Sequence, residues 1–170
     1  GQCVPQDVSP DAGRLLVLKV VSINEAYPGE VDLATGKLEM FPVDGGKAAF
    51  TDFRYGNGDG WVYYISDEQS QFRSLRRHHP ETGRLEVISK DVPWDVDAFD
   101  LSPDGQYLAY VANEDGIGKL RVLTLNDMGE VAVPEIPVGV IANIRFAPNG
   151  FELALTVNSA TAPSDVYVLN

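Results

Sequence analysis

The sequence predicts an all-β chain, a partial β-propeller of four-stranded antiparallel blades, with about three and a half blades in 170 residues. A turn module recurs along the chain, a second landmark recurs in phase with it, and the segments between them are short β-rich runs without a helical stretch.

The turn module is Ser9-Pro10-Asp11-Ala12-Gly13 followed by Arg14-Leu15-Leu16-Val17-Leu18. It returns as Ser102-Pro103-Asp104-Gly105 before Gln106-Tyr107-Leu108-Ala109-Tyr110-Val111, and as Ala147-Pro148-Asn149-Gly150 before Phe151-Glu152-Leu153-Ala154-Leu155-Thr156. A degenerate copy, Asn57-Gly58-Asp59-Gly60, precedes Trp61-Val62-Tyr63-Tyr64-Ile65-Ser66. Phe53 and Phe99 are 46 residues apart, and Phe99 and Ile144 are 45 apart. The second landmark, Thr35-Gly36-Lys37-Leu38, Thr82-Gly83-Arg84-Leu85 and Met128-Gly129-Glu130-Val131, keeps that period.

Each element has a local reason. Asp104-Gly105 and Asn149-Gly150 suit a tight reversal, because glycine accepts positive φ and a short polar side chain bonds its own backbone. Pro103 and Pro148 fix φ just before it. The following strand is apolar on both faces (Leu15 to Leu18, Val62 to Ile65, Leu108 to Val111), as expected of a strand sandwiched between blades. In the third unit the strands are expected at Val96 to Leu101, Gln106 to Ala112, Lys119 to Leu125 and Glu130 to Val133, with burial declining from inside to outside. With a short innermost strand around Gln6 to Ser9, the repeat units run approximately 4–46, 47–93, 94–139 and 140–170, in one incomplete domain over 1–170. Such a ring does not close and exposes apolar faces and a strand edge. Two readings follow: a chain cut short by cloning or proteolysis, or a homodimer that covers those faces.

Composition excludes several classes of function. The formal net charge is −12, from 13 Lys plus Arg against 25 Asp plus Glu. A field of that sign repels a phosphate backbone, so nucleic acid and anionic membranes are poor partners; the densest basic cluster is only Arg73, Arg76 and Arg77 with His78 and His79. Cys3 is the one cysteine, which excludes an internal disulfide and a thiolate metal cluster. No apolar run reaches the roughly 18 residues of a membrane span, and the start, Gly1 to Pro5, has no leader pattern. The acidic balance suits cytoplasm and periplasm alike.

No catalytic, cofactor-binding or metal-binding residue emerges. A Gly-x-Ser-x-Gly elbow is absent, and Ser66 and Ser102 lie in strands or turns. His78 and His79, adjacent in a strand, point to opposite faces and cannot share one metal. Asp91, Asp95, Asp97, Asp100 and Glu114-Asp115 are candidates for paired acid and base work, but the first three flank Pro93 and Trp94 in what reads as a solvated loop. Asn57-Gly58-Asp59-Gly60 and Asn113-Glu114-Asp115-Gly116 have too few side-chain oxygens for a calcium loop and read as turns. Trp61, opening an apolar strand, is expected in the core, and Trp94 is expected to plug a blade junction or else meet a partner.

The stretch Val92-Pro93-Trp94-Asp95-Val96-Asp97-Ala98-Phe99-Asp100-Leu101-Ser102-Pro103-Asp104-Gly105, followed by Leu108-Ala109-Tyr110 and Asn113 to Gly116, resembles the propeller region of the prolyl oligopeptidase family of serine peptidases. So does Ser159-Ala160-Thr161-Ala162-Pro163-Ser164-Asp165-Val166-Tyr167-Val168. The resemblance covers most of the chain after about Thr51, and TolB-like propellers share its Ser-Pro-Asp-Gly repeats. It implies a parent in which an N-terminal propeller caps a C-terminal α/β-hydrolase domain and restricts access to its Ser, Asp and His. It places no triad or peptide-binding residue in this chain. The expected partners are that hydrolase domain and the parent's peptide substrate; the alternative is a TolB-like protein-interaction propeller.

Overall fold

The computed structural model describes residues 2–43, 46–150 and 152–170. Gly1 at the start and Phe151 in the last turn module lie outside the described residues. The described residues form fifteen strands in four antiparallel sheets and no helix. Strand order in each sheet follows the chain, as a meander of short reversals requires. By contacts the chain divides into two compact units, Gly1–Asp91 and Val92–Asn170.

The first unit holds β1 (Gln2–Val8), β2 (Arg14–Ser22), β3 (Glu25–Asp32) and β4 (Leu38–Met40) in one sheet, and β5 (Phe50–Tyr55), β6 (Val62–Ser66), β7 (Ser74–His79) and β8 (Arg84–Val87) in the next. Leu16 and Leu18 of β2 meet Phe50 and Phe53 of β5 and Val62 and Tyr64 of β6, with Ala26 and Ala48 filling the gaps. Phe53 and Tyr64 stack with ring centroids 4.8 Å apart. Each such buried side chain contributes about 1.5–3 kcal/mol of transfer free energy.

The second unit holds β9 (Val96–Leu101), β10 (Tyr107–Glu114), β11 (Ile117–Thr124) and β12 (Glu130–Val131), then the three strands β13 (Val140–Phe146), β14 (Leu153–Asn158) and β15 (Asp165–Leu169). Ala109 and Val111 pack against Ile141, Ile144, Leu153, Leu155 and Val157. Gly118 makes this approach possible, because a Cβ there would lie 2.7 Å from the Ile141 amide nitrogen.

The turns form as their residues dictate, with two departures. Gly105 and Gly150 adopt φ of 70° and 78°, while Ala12 takes the same left-handed conformation at φ 56° because Gly13 falls one place late. In the outer hairpins the positive φ sits on Gly36, Gly83 and Met128. Their amides bond to Asp32 O, His79 O and Thr124 O, so Met128, and not Gly129, stands where the glycine stands in the first two hairpins. The Asp127 carboxylate offsets this by accepting the Gly129 amide at 3.0 Å.

Burial peaks on the second strand instead of declining steadily outward. Every residue of β6 is buried, whereas β5 buries only Phe50 and Phe53 and β1 has no buried residue. The innermost strand has a sheet neighbour on one side only, which leaves its other edge open. From β10 outward the expected decline does hold, β12 having no buried residue.

Candidate functional site

The candidate serines are engaged by their own turns. Ser102 is fully buried, and its hydroxyl accepts the Tyr107 amide at 2.8 Å while donating to Asp104 at 2.6 Å. Ser9 repeats this with Asp11 and the Arg14 amide. Ser66, also fully buried, accepts the Glu68 amide at 3.0 Å. These hydroxyls close turns.

His78 and His79 do point apart. His78 meets the Phe41 ring edge-on at 6.1 Å, and burial together with the neighbouring imidazole lowers its pKa below the ordinary 6.5. His79 meets Trp61 edge-on at 5.3 Å, with its Nδ1 buried and without a hydrogen-bond partner in the structure.

Trp61 is not a core residue. It precedes β6 and is half-buried, with the Arg77 guanidinium 4.3 Å from its ring centroid and Arg84 at 5.6 Å. Glu86 accepts from Arg77 Nε at 2.7 Å and also pairs with Arg84. The Arg77 hydrogen bond holds the Glu86 carboxyl below its ordinary range. Tyr63 donates to Asp59 at 2.7 Å, and burial pushes its phenol pKa up. The indole is therefore one layer of an arginine-aromatic stack at the β7–β8 hairpin. Trp94 is 38% exposed.

The carboxylates disperse. Asp91 is exposed, Asp97 lies in β9 and accepts from Asn113 Nδ2 at 3.2 Å, and Asp100 is buried and accepts the Phe146 amide at 2.7 Å. A solvated loop face describes Asp91, but Asp97 belongs to a strand. Glu114 pairs with Arg121 at 2.9 Å. The two acidic turns close on themselves: Asp59 accepts the Trp61 amide and Asn113 Oδ1 accepts the Gly116 amide. Among the described residues no three His, Cys, Asp or Glu side chains are grouped to hold a metal ion. Nor is any helix long and apolar enough to cross a membrane.

The basic cluster conceals a buried ion pair that sequence reasoning missed. Arg76 and Glu68 are 5% and 6% exposed; the guanidinium reaches both the Glu68 carboxylate and its carbonyl and donates to Ser74 Oγ at 3.0 Å. Beside it burial pushes the Tyr64 phenol up to about 12. The available signal was the apolar run Val62 to Ile65 beside it, against which Ser74, Leu75 and Arg76 of β7 are all buried.

Two clefts remain. In the first unit about 160 Å³ is enclosed by Phe41, Phe50, Tyr64, Glu68, His78 and Leu85. In the second, about 530 Å³ lies among Val122, Val131, Phe146, Leu153, Leu169 and Tyr107, mostly apolar. Neither brings a nucleophile together with a base.

No protein-family model and no curated protein matches the sequence. Solved structures do match. One of two prolyl endopeptidases studied for the role of inter-domain dynamics in catalysis and specificity superposes on 98% of this chain and 24% of its own, at 18% identity and a TM-score of 0.76. Prolyl oligopeptidase B from Galerina marginata aligns with 99% of this chain and 24% of its own, at 13% identity and a TM-score of 0.73. TolB from Acinetobacter baumannii aligns with 99% and 41%, at 12% identity and a TM-score of 0.72. This chain spans about a quarter of the length of the peptidases and under half that of TolB. At these identities the likeness establishes architecture, and the chain is a partial β-propeller of the kind found in prolyl oligopeptidases and TolB proteins.

Proposed function

We propose that this chain is the noncatalytic, substrate-gating propeller of a prolyl oligopeptidase-like serine peptidase whose hydrolase domain lies elsewhere in the parent protein. The observation that carries this reading is the superposition of nearly the whole chain on a quarter of a prolyl endopeptidase. It is supported by the ordered run from Trp94-Asp95 through Ser102-Pro103-Asp104-Gly105 to Pro163-Ser164-Asp165-Val166-Tyr167. Serines locked in turns and histidines packed against aromatic rings suit a domain that shapes access and leaves bond cleavage to another.

The test is the complete reading frame and its product. A downstream segment of roughly 250 residues or more carrying Gly-x-Ser-x-Gly, and peptidase activity abolished when that serine becomes alanine, is the expected result. Removing residues 1–170 from that product should broaden its substrate size range. A reading frame without such a segment would overturn the proposal. It would favour the second reading, a TolB-like interaction propeller, which the match to TolB from Acinetobacter baumannii supports.

A further inference from the structure

The sheet of β5 to β8 turns one face to the cleft of about 160 Å³ inside Gly1–Asp91. Val62 and Tyr64 stand two residues apart on β6 and so point to the same side. Strand register sets His78 of β7 opposite Val62 and Leu85 of β8 opposite His78, which brings all four side chains to that face. Phe41, just past β4, lines the cleft from the first sheet and meets the His78 ring edge-on. Phe50, Phe53 and Val62 are buried in its depth, whereas Pro42, Gly83 and Leu85 are exposed at its rim.

Size and polarity restrict what fits. An apolar cavity of about 150 Å³ holds one benzene molecule, so this cleft has room for a single ring. Its depth is aromatic, with Phe53 stacked on Tyr64 and Phe50 beside both. Tyr64 is only 5% exposed, yet its hydroxyl makes no hydrogen bond to any described residue, whereas the hydroxyl of Tyr63 donates to Asp59. A buried hydroxyl without a partner costs free energy that a complementary ligand group recovers. His78 likewise makes no hydrogen bond to a described residue, and its lowered pKa leaves the imidazole neutral at pH 7.5, with one ring nitrogen able to accept. The Glu68 carboxylate is already paired with Arg76, so that pair offers little net charge to attract an ion.

We propose that this cleft is a binding site for a small phenol, its ring among Phe41, Phe50 and Val62 and its hydroxyl paired with that of Tyr64. The site does not depend on the peptidase reading and would be present in either kind of propeller.

Nuclear magnetic resonance titration of the whole chain with phenol, and with benzene as the same ring without its hydroxyl, tests this at pH 7.5. Phenol should shift the resonances of Tyr64, His78 and Leu85 to saturation, and benzene should bind roughly fivefold more weakly, the scale of one net hydrogen bond. Tyr64→Phe should weaken phenol by roughly the same factor and leave benzene within about twofold of the parent. Leu85→Trp, at the exposed rim, should block both ligands. Equal binding of phenol and benzene, phenol binding unweakened by Tyr64→Phe, saturable shifts confined to the larger cleft near Phe146 and Leu169, or no binding at all would overturn the proposal. Should Tyr64→Phe fail to fold, the phenol and benzene comparison in the parent and the Leu85→Trp variant still decide it.

Discussion

Ala12 carries a backbone conformation that costs an L-residue about 1–2 kcal/mol, at φ 56°, where the equivalent Gly105 sits without strain. Ala12→Gly should therefore raise stability by about 0.5–1 kcal/mol in a urea melt, the remainder being lost to the greater freedom of glycine in the unfolded chain. Titration should be visible at two neighbouring residues. The folded pKa of His78 lies below 6.5, so its contribution is complete above that pH and is lost as pH falls through 6.5, the unfolded chain taking the proton first. Glu86, held below its ordinary 4.5 by Arg77, contributes above that value and loses its contribution as pH falls through the depressed one. Thermal melts should show two successive losses on acidification, and His78→Gln should remove the one nearer neutrality. A melting temperature flat between pH 7 and 5.5 in the parent would contradict the first.

At the scale of elements, period and turn chemistry were legible while side-chain partners were not. Val96–Leu101 falls where the sequence placed it, because Pro93 before it and Ser102-Pro103 after it bound an apolar run. The strands after it shift by one or two residues, since β10 and β11 extend into the Asn113–Gly116 reversal. The one-place slip at Met128-Gly129 was invisible because glycine marks turns by identity, whereas the hairpin is set by which amide reaches Thr124 O. The Arg76–Glu68 pair and the place of Trp61 depend on facing residues from other strands, which spacing along one strand does not contain. Close packing makes two element-scale expectations. Gly118→Val should force β11 off β13 and cost roughly 1–3 kcal/mol in denaturant unfolding, as overpacking does. Leu155→Ala, at a residue 2% exposed, should cost about 2–5 kcal/mol.

Across the whole molecule, repetition does the organising. A unit of about 46 residues supplies one sheet, and two such sheets share each hydrophobic core. Sequence alone reached the fold because the repeat is written in turn residues, whose effects are local. It reached no functional residue, and the structure accounts for the serines and histidines through turns and packing. The blade architecture depends most directly on strand register. Cross-strand proton contacts measured by nuclear magnetic resonance should link Ala109 with both Val122 and Asp100, and Leu155 with both Tyr167 and Ile144. Sequential amide contacts typical of a helix in these segments, or pairing of β10 with strands other than β9 and β11, would contradict it.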